Sequence, residues 1–139
     1  MFKKTFTLVE IMIVVTIIII LALLVVPNML RAKVTSNEAT TIANLKGIYT
    51  ALQIYYNDNN KAYPQTLALL SEYIGSTLAS GSKSGYLFNY TYENEDTFYI
   101  KANPRTPGRT GTRYFYMDET GTIRANSQGE ASETDPITE

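Results

Sequence analysis

An apolar run near the amino terminus constrains the fold of this chain more than any other feature. Residues 11–26 read IMIVVTIIIILALLVV, with Thr16 as the one polar side chain. As a helix, residues 6–30 would measure roughly 37 Å at about 1.5 Å per residue, enough to cross about 30 Å of hydrocarbon. Because lipid offers the backbone no hydrogen-bond partners, a single spanning segment has to be helical. The run therefore predicts a transmembrane helix.

Two simpler interpretations of the run compete with a more specialised one. A secretory signal peptide would end in a small-x-small cleavage site, but the apolar core continues into PNMLRAKV without one. A plain single-pass anchor is the stronger alternative. Lys3 and Lys4 precede the run and favour a cytoplasmic amino terminus, although Arg31 and Lys33 beyond it reduce the asymmetry. The bulk of the chain is then expected to face outward.

The composition excludes most enzyme chemistry. The 139 residues suffice for one ordinary domain, and they include no Cys and no His. Disulfides, thiolate nucleophiles, Cys/His zinc sites and mechanisms that need an imidazole are thereby excluded. A net charge of −1 gives no overall basic surface for nucleic acid, and Asp118, Glu119 and the last acidic residues lack the spacing of a calcium loop. We expect no catalytic activity, no cofactor and no metal.

Glu10 is the anomaly within the apolar stretch. A carboxylate inside hydrocarbon is costly unless an opposite charge lies beside it. A simple anchor has no reason to carry such a residue.

The five residues around Glu10 form a recognisable motif. FTLVE at residues 6–10 follows a short Lys-containing leader and precedes the apolar run, which has Pro27 near its end. This combination resembles the amino terminus of type IV prepilins and of the related type II secretion pseudopilins. The resemblance implies that a prepilin peptidase cuts between Thr5 and Phe6 and methylates the new Phe6 amine. It also implies that Glu10 pairs with the Phe6 amine of a neighbouring subunit during assembly.

The resemblance further implies a division of the chain and a route for it. Residues 1–5 would be the leader peptide and residues 6–30 the transmembrane and filament-core helix. Residues 31–125 would form the globular pilin-like domain and residues 126–139 an acidic tail. The precursor would lie in the bacterial inner membrane, with an assembly platform there as a partner. The product would be an extracellular filament, a pilus or fimbrium.

Two positions depart from the family pattern. The family usually has Gly, or occasionally Ala, before the cut, whereas this chain has Thr5. If the peptidase pocket fits only a very small side chain, we expect slow processing or none. Many members have a glycine within the apolar run, where this chain has Ile19 and its neighbours. Pro27 does match a frequent family proline, and any melting or kinking on assembly is expected at residues 22–27. A plain membrane-helix kink is the alternative interpretation of Pro27.

Beyond the anchor, the apolar pattern becomes one-sided and predicts that the helix continues to residue 56. Apolar residues recur at spacings of 3, 4, 3 and 4: Ile42, Leu45, Tyr49, Leu52 and Tyr56. The polar residues 57–60 then end the helix. The aromatic face of Tyr49, Tyr55 and Tyr56 can be interpreted as a stacking or electron-carrying stripe, but we favour a packed core.

The second half of the sequence predicts a small antiparallel sheet. A short helix is expected from Pro64 or Gln65 to about Tyr73, followed by a flexible Gly/Ser loop at residues 75–85. Strands are predicted at residues 86–92, 97–102, 113–117 and 122–125, with hairpin turns at residues 93–96 and 118–121. The fold class is therefore α+β, with a long amino-terminal helix packed against three or four strands.

Opposite charges collect near the end of the chain. Three arginines recur every four residues at Arg105, Arg109 and Arg113. The final segment carries acidic residues and no basic ones: Glu130, Glu133, Asp135 and Glu139. Such clusters usually solvate a surface. The sharper hypothesis is weak pairing between a basic loop on one copy and the acidic tail of the next, and a phosphate-binding role for the arginines is a further alternative.

The favoured function is a structural subunit that polymerises, through its apolar helix, into a type IV pilus-like filament. A pseudopilin of a type II secretion system is the nearest alternative, although the chain has no Trp and so lacks the proline-tryptophan tract expected of the major pseudopilin. A monomeric, membrane-tethered binding module is an alternative of a different class.

Overall fold

The computed structural model describes residues 3–138. Two residues of the predicted leader, Met1 and Phe2, and the last residue of the predicted acidic tail, Glu139, lie outside the described residues. The chain divides into two compact units, residues 1–33 and residues 34–139, which are described separately.

The longest element is a single helix, α1, which runs from Leu8 to Asp58 over 51 residues. It begins two residues later than the predicted start at Phe6, because residues 3–7 are not helical. Pro27 lies inside the helix without ending it. Next to Pro27, the Asn28 side-chain amide donates a hydrogen bond to the Leu24 carbonyl at 3.1 Å.

The first unit consists of residues 3–7 and the amino-terminal part of α1. All described residues from Lys3 to Lys33 are exposed. By length and composition, α1 contains a stretch apolar enough to cross a membrane. The transmembrane helix expected at residues 6–30 stays a prediction.

The second unit contains a five-stranded antiparallel sheet whose strands are hydrogen-bonded in chain order. The strands are β1 (Ser82–Lys83), β2 (Tyr86–Asn94), β3 (Thr97–Pro104), β4 (Tyr114–Asp118) and β5 (Ile123–Asn126). The four longer strands match the predicted ones to within two residues at each end. A bulge between Tyr92 and Asn94 shortens the predicted turn at residues 93–96.

The prediction of a flexible loop at residues 75–85 is wrong. The prediction of three or four strands is also wrong, because the sheet has five. This segment forms the short helix α3 (Ser76–Ala79) and then β1. Gly81 and Gly85 have φ values of +81° and +76°, and such left-handed geometry is easy only for glycine. It lets the chain reverse tightly, so that the Phe88 N–H donates to the Gly81 carbonyl at 2.8 Å.

The short helix predicted from residue 64 or 65 begins later than expected. A 3₁₀ helix spans Leu67–Leu70, and α2 continues it over Ser71–Ile74. Pro64 precedes the helix instead of opening it, and its carbonyl accepts a hydrogen bond from the Tyr90 hydroxyl at 2.6 Å.

The core of the second unit lies between α1 and one face of the sheet. Its fully buried large side chains include Leu45, Ile48 and Leu52 of α1 and Phe98 and Phe115 of the sheet. The partly buried tyrosines that pack against this core include Tyr49, Tyr55 and Tyr56. The predicted packing role of that aromatic face is confirmed.

The segment after β5 returns to the sheet. Ile137 forms an antiparallel bridge with Arg124. The Ala125 N–H donates to the Pro136 carbonyl at 3.0 Å, and the Thr138 N–H donates to the Ile123 carbonyl at 2.8 Å. The acidic segment is therefore attached to the edge of β5.

Candidate functional site

Glu10 and Thr7 form a reciprocal hydrogen-bonded pair at the start of α1. The Thr7 N–H donates to Glu10 Oε2 at 2.8 Å, and the Thr7 hydroxyl donates to the same oxygen at 3.1 Å. In return, the Glu10 N–H donates to Thr7 Oγ1 at 3.2 Å. Because α1 begins at Leu8, Thr7 is the N-cap residue and Glu10 the third residue of the helix. This arrangement is a capping box.

This capping role of Glu10 was not predicted, although the sequence carries a signal for it. A Thr followed three residues later by Glu, just before an apolar run, is the signature of a capping box. The capping box occupies one carboxylate oxygen. Among residues 3–138, no hydrogen bond or ion pair reaches the other oxygen, Oε1.

The predicted cleavage residues lie beside this carboxylate. Thr5 and Phe6 belong to the non-helical segment before α1, and the Phe6 side chain is 80% exposed. Lys4, Thr5, Phe6, Thr7 and Glu10 together line a depression of about 400 Å³. The predicted cleavage and methylation residues and one predicted assembly residue, Glu10, thus line the same depression.

Pro27 is separate from that cluster. It lies 17 residues after Glu10 on the same helix, which corresponds to roughly 25 Å at about 1.5 Å per residue.

In the second unit, Glu38 of α1 holds the segment between β3 and β4. Its carboxylate accepts the Thr112 N–H at 2.8 Å, the Thr112 hydroxyl at 2.7 Å and the Arg113 N–H at 3.1 Å. Arg113 Nε also donates to it at 2.8 Å. Nearby, the Asn37 amide donates to the Thr110 carbonyl at 2.8 Å.

These contacts determine the protonation of Glu38, which is buried with 6% of its surface exposed. Desolvation raises the pKa of this carboxyl, but the hydrogen bonds from Thr112 and Arg113 together outweigh it. The pKa of Glu38 lies below its ordinary value. Arg113 is thus engaged by a carboxylate of its own chain.

Two of the predicted acidic contact residues are likewise engaged within the chain. Glu130 accepts from Lys101 Nζ at 3.1 Å and from the Asn103 amide at 3.2 Å. The Lys101 hydrogen bond and charge lower the pKa of Glu130.

Asp135 fixes the turn within the final segment. It accepts the Ser132 N–H at 2.7 Å and the Asn126 amide at 3.1 Å, and these bonds lower its pKa. Its backbone carbonyl accepts Arg124 Nη1 at 2.9 Å.

The remaining members of the charged clusters lie at the surface. Arg105 donates to the Ser82 hydroxyl. Within the part of the chain that the structure describes, the side chains of Arg109 and Glu133 make no hydrogen bond or ion pair, and both residues are exposed. Among residues 3–138, the structure does not pair the three arginines with Glu130, Glu133 or Asp135.

Curated relatives cover most of the chain. Type II secretion system core protein G of Aeromonas hydrophila is 32% identical over 105 residues, which are 76% of this chain and 67% of that protein. Its counterpart in Escherichia coli is 32% identical over 111 residues, 76% of each chain. This chain belongs to the family of type IV pilins and type II secretion pseudopilins. The family resemblance of residues 6–10 is thereby confirmed.

Type IV pilus proteins also match this pilin-family chain. The type IV wide pilus major component PilA4 of Thermus thermophilus is 38% identical over 77 residues, 55% of this chain and 59% of that protein. The type IV major pilin PilA of Myxococcus xanthus is 33% identical over 84 residues, 60% of this chain and 36% of that protein. No protein-family model matches the chain.

Proposed function

We propose that this chain is a structural, non-catalytic subunit that polymerises through its amino-terminal helix into a type IV pilus-like surface filament. The observation that carries the proposal is the exposure of the apolar half of α1. The large apolar side chains of residues 11–26 are 47–70% exposed in the single chain. Such a surface needs a cover of lipid before assembly and of other helices afterwards.

Glu10 is proposed as the residue that pairs subunits. Its Oε2 is held by Thr7, which orients the carboxylate, while Oε1 has no partner among the described residues. A carboxylate accepts several hydrogen bonds at once. Oε1 can therefore receive the Phe6 amine of a neighbouring subunit while the capping box stays intact.

Cleavage between Thr5 and Phe6 would create that amine. The bond lies outside the helix, where a peptidase can bind the backbone in an extended form, and Phe6 is exposed. A prepilin peptidase is the proposed partner for cutting and for methylating Phe6. An inner-membrane assembly platform is the proposed partner for polymerisation. Mass analysis of the amino terminus tests whether Thr5 permits the cut.

The decisive experiment compares Glu10→Leu with Thr16→Val. Each removes one polar side chain from the apolar segment, and the Thr16 hydroxyl bonds only its own helix, at the Met12 carbonyl. Filaments are sheared from cells and quantified, and the membrane fraction is measured in parallel. We expect Glu10→Leu to insert normally but to reduce filament yield at least tenfold, whereas Thr16→Val polymerises like the parent. Normal filament yield from Glu10→Leu would contradict the pairing role.

A type II secretion pseudopilin is the second candidate function. It is supported by the core protein G relatives of Aeromonas hydrophila and Escherichia coli, which each align over 76% of this chain, whereas the PilA4 relative aligns over 55%. Electron microscopy of sheared cells distinguishes the two. Long surface fibres made of this chain support the pilus. If cells that produce the chain have no such fibres, and cells that lack the chain fail to secrete proteins, the pseudopilus is supported. If the chain is monomeric both in the membrane fraction and in the medium, the tethered binding module is the remaining candidate.

A further inference from the structure

The second unit carries a cleft that filament assembly through α1 does not use. It lies where the end of α1, the segment after it and the β2–β3 turn meet, and it has a volume of about 420 Å³. Small-molecule sites commonly occupy about 300–1,000 Å³.

Several polar side chains in the cleft are free to bind a ligand. Asn60, Gln65 and Glu95 line it, and their side chains make no hydrogen bond or ion pair with any of residues 3–138. The two amides can both donate and accept, while the carboxylate only accepts. Glu95 is the one acidic side chain among the lining residues.

Three of the lining residues are tyrosines. Tyr55 and Tyr92 are partly buried against the core and line the cleft. Neither ring is paired with another aromatic ring within the described chain. Tyr63, which also lines the cleft, differs because Tyr56 and Phe98 lie at centroid distances of 4.6 and 4.7 Å. The rings of Tyr55 and Tyr92 are thus the ones available to a ligand.

The backbone fixes these groups in place. Asn60 and Lys61 have φ values of +54° and +63°, a left-handed geometry that non-glycine residues rarely adopt. It turns the chain sharply after α1. The Tyr63 N–H then donates to the Glu95 carbonyl at 3.0 Å, which joins the turned segment to the β2–β3 turn.

We propose that this cleft binds a neutral saccharide unit. The hydroxyl groups of a sugar both donate and accept, so they match the mixture of amides and carboxylate. Its apolar C–H faces match tyrosine rings. Glu95 disfavours anionic sugars. A quaternary ammonium ion, which aromatic and acidic groups also attract, would leave the amides of Asn60 and Gln65 without partners.

Saturation-transfer NMR on the full chain tests this proposal. The protein is held in a zwitterionic detergent without a sugar head group and mixed in turn with glucose, galactose, N-acetylglucosamine and choline. We expect transfer to at least one of the neutral sugars. The double variant Glu95→Ala/Gln65→Ala should weaken binding of that sugar at least tenfold, because it removes two of the polar groups proposed to contact the ligand. The fold should persist, because both side chains are exposed and make no hydrogen bond with residues 3–138. Tyr73→Ala, an exposed tyrosine outside the cleft, is the matched control and should bind normally.

Three results would overturn the proposal: no transfer to any of the three sugars, equal binding by the parent and the double variant, or transfer to choline alone. Near-ultraviolet circular dichroism verifies that each variant keeps its packed tyrosines. The outcome is independent of filament assembly, since Glu10 and the cleft lie in different units of the chain.

Discussion

The Glu38 carboxylate and the Arg113 guanidinium lie 2.8 Å apart although 75 residues separate them in sequence. Glu38 is buried on α1, whereas Arg113 is partly exposed just before β4. Together with the bonds from Thr112, this pair holds the β3–β4 connection against the helix.

Loss of this contact should destabilise the second unit. Glu38→Gln removes the charge but keeps the shape and one acceptor, and we expect a loss of about 2 kcal/mol in the free energy of unfolding, since hydrogen bonds to charged groups contribute roughly 1.5–3 kcal/mol. Urea unfolding followed by near-ultraviolet circular dichroism measures it. Glu72→Gln, at an exposed position, is the control and should change stability by less than about 0.5 kcal/mol. Equal stability of the two variants would contradict the role of Glu38.

Acid should lower the stability of the second unit by protonating Glu38 and two further carboxylates. The pKa values of Glu38, Glu130 and Asp135 are all lowered in the folded chain. A carboxyl with a lowered folded pKa stabilises the fold above its unfolded pKa, and this contribution is lost as the pH falls through the folded pKa.

We therefore expect the melting temperature to be constant near neutral pH and to decline below about pH 5. Glu38→Gln should show a smaller decline than the parent, because its side chain no longer titrates. A melting temperature that stays unchanged down to pH 3 would contradict this prediction.

The helix should be locally weak before Pro27. A proline has no N–H, so the Leu23 carbonyl four residues earlier lacks its usual helical partner. We expect faster hydrogen–deuterium exchange at residues 22–27 than at residues 11–16, and slower exchange at residues 22–27 in Pro27→Ala. If both stretches of the parent are equally protected from exchange, Pro27 does not weaken the helix locally.

Arg109 and Glu133 are the members of the charged clusters best placed to contact a neighbouring subunit, because the other contacts of those clusters lie within the chain. If they pair between subunits, Arg109→Glu should make filaments dissociate at lower salt, and so should Glu133→Arg. The double variant Arg109→Glu/Glu133→Arg should restore the salt resistance. If the double variant does not regain the salt resistance of the parent filaments, Arg109 and Glu133 do not pair between subunits and are solvated surface charges.

The elements that the sequence predicted well are those whose signal is periodic and local. The 3–4 spacing from Ile42 to Tyr56 identified the buried face of α1, and the strand predicted at residues 86–92 coincides with β2, whose burial alternates at its start. In both, each residue's environment follows from the repeat of its own element.

The features that escaped prediction depend on contacts made across the chain. Ser82 and Lys83 look like loop residues, and they become β1 because two glycine turns bring them alongside Tyr86 and Leu87. The role of Glu38 has no signal in the local sequence. Its partners are recognisable only once the sheet places Arg113 beside α1.

The capping box is a different case, because its signal is local and was interpreted differently. A carboxylate in an apolar stretch suggested an intermolecular partner, and the partner three residues away was overlooked. Both roles fit one carboxylate, since Thr7 occupies Oε2 and leaves Oε1 open.

The return of the last residues to β5 bears on how copies of this protein behave when crowded. An open strand at the border of a sheet is a template for unwanted association. Pairing at Ile137 and Thr138 covers part of the border at β5, whereas on the opposite side β1 pairs with only Tyr86 and Leu87 of the nine-residue β2. The β5 border therefore offers a neighbouring domain little free backbone, so that extension of the sheet from one molecule to the next is disfavoured at this border.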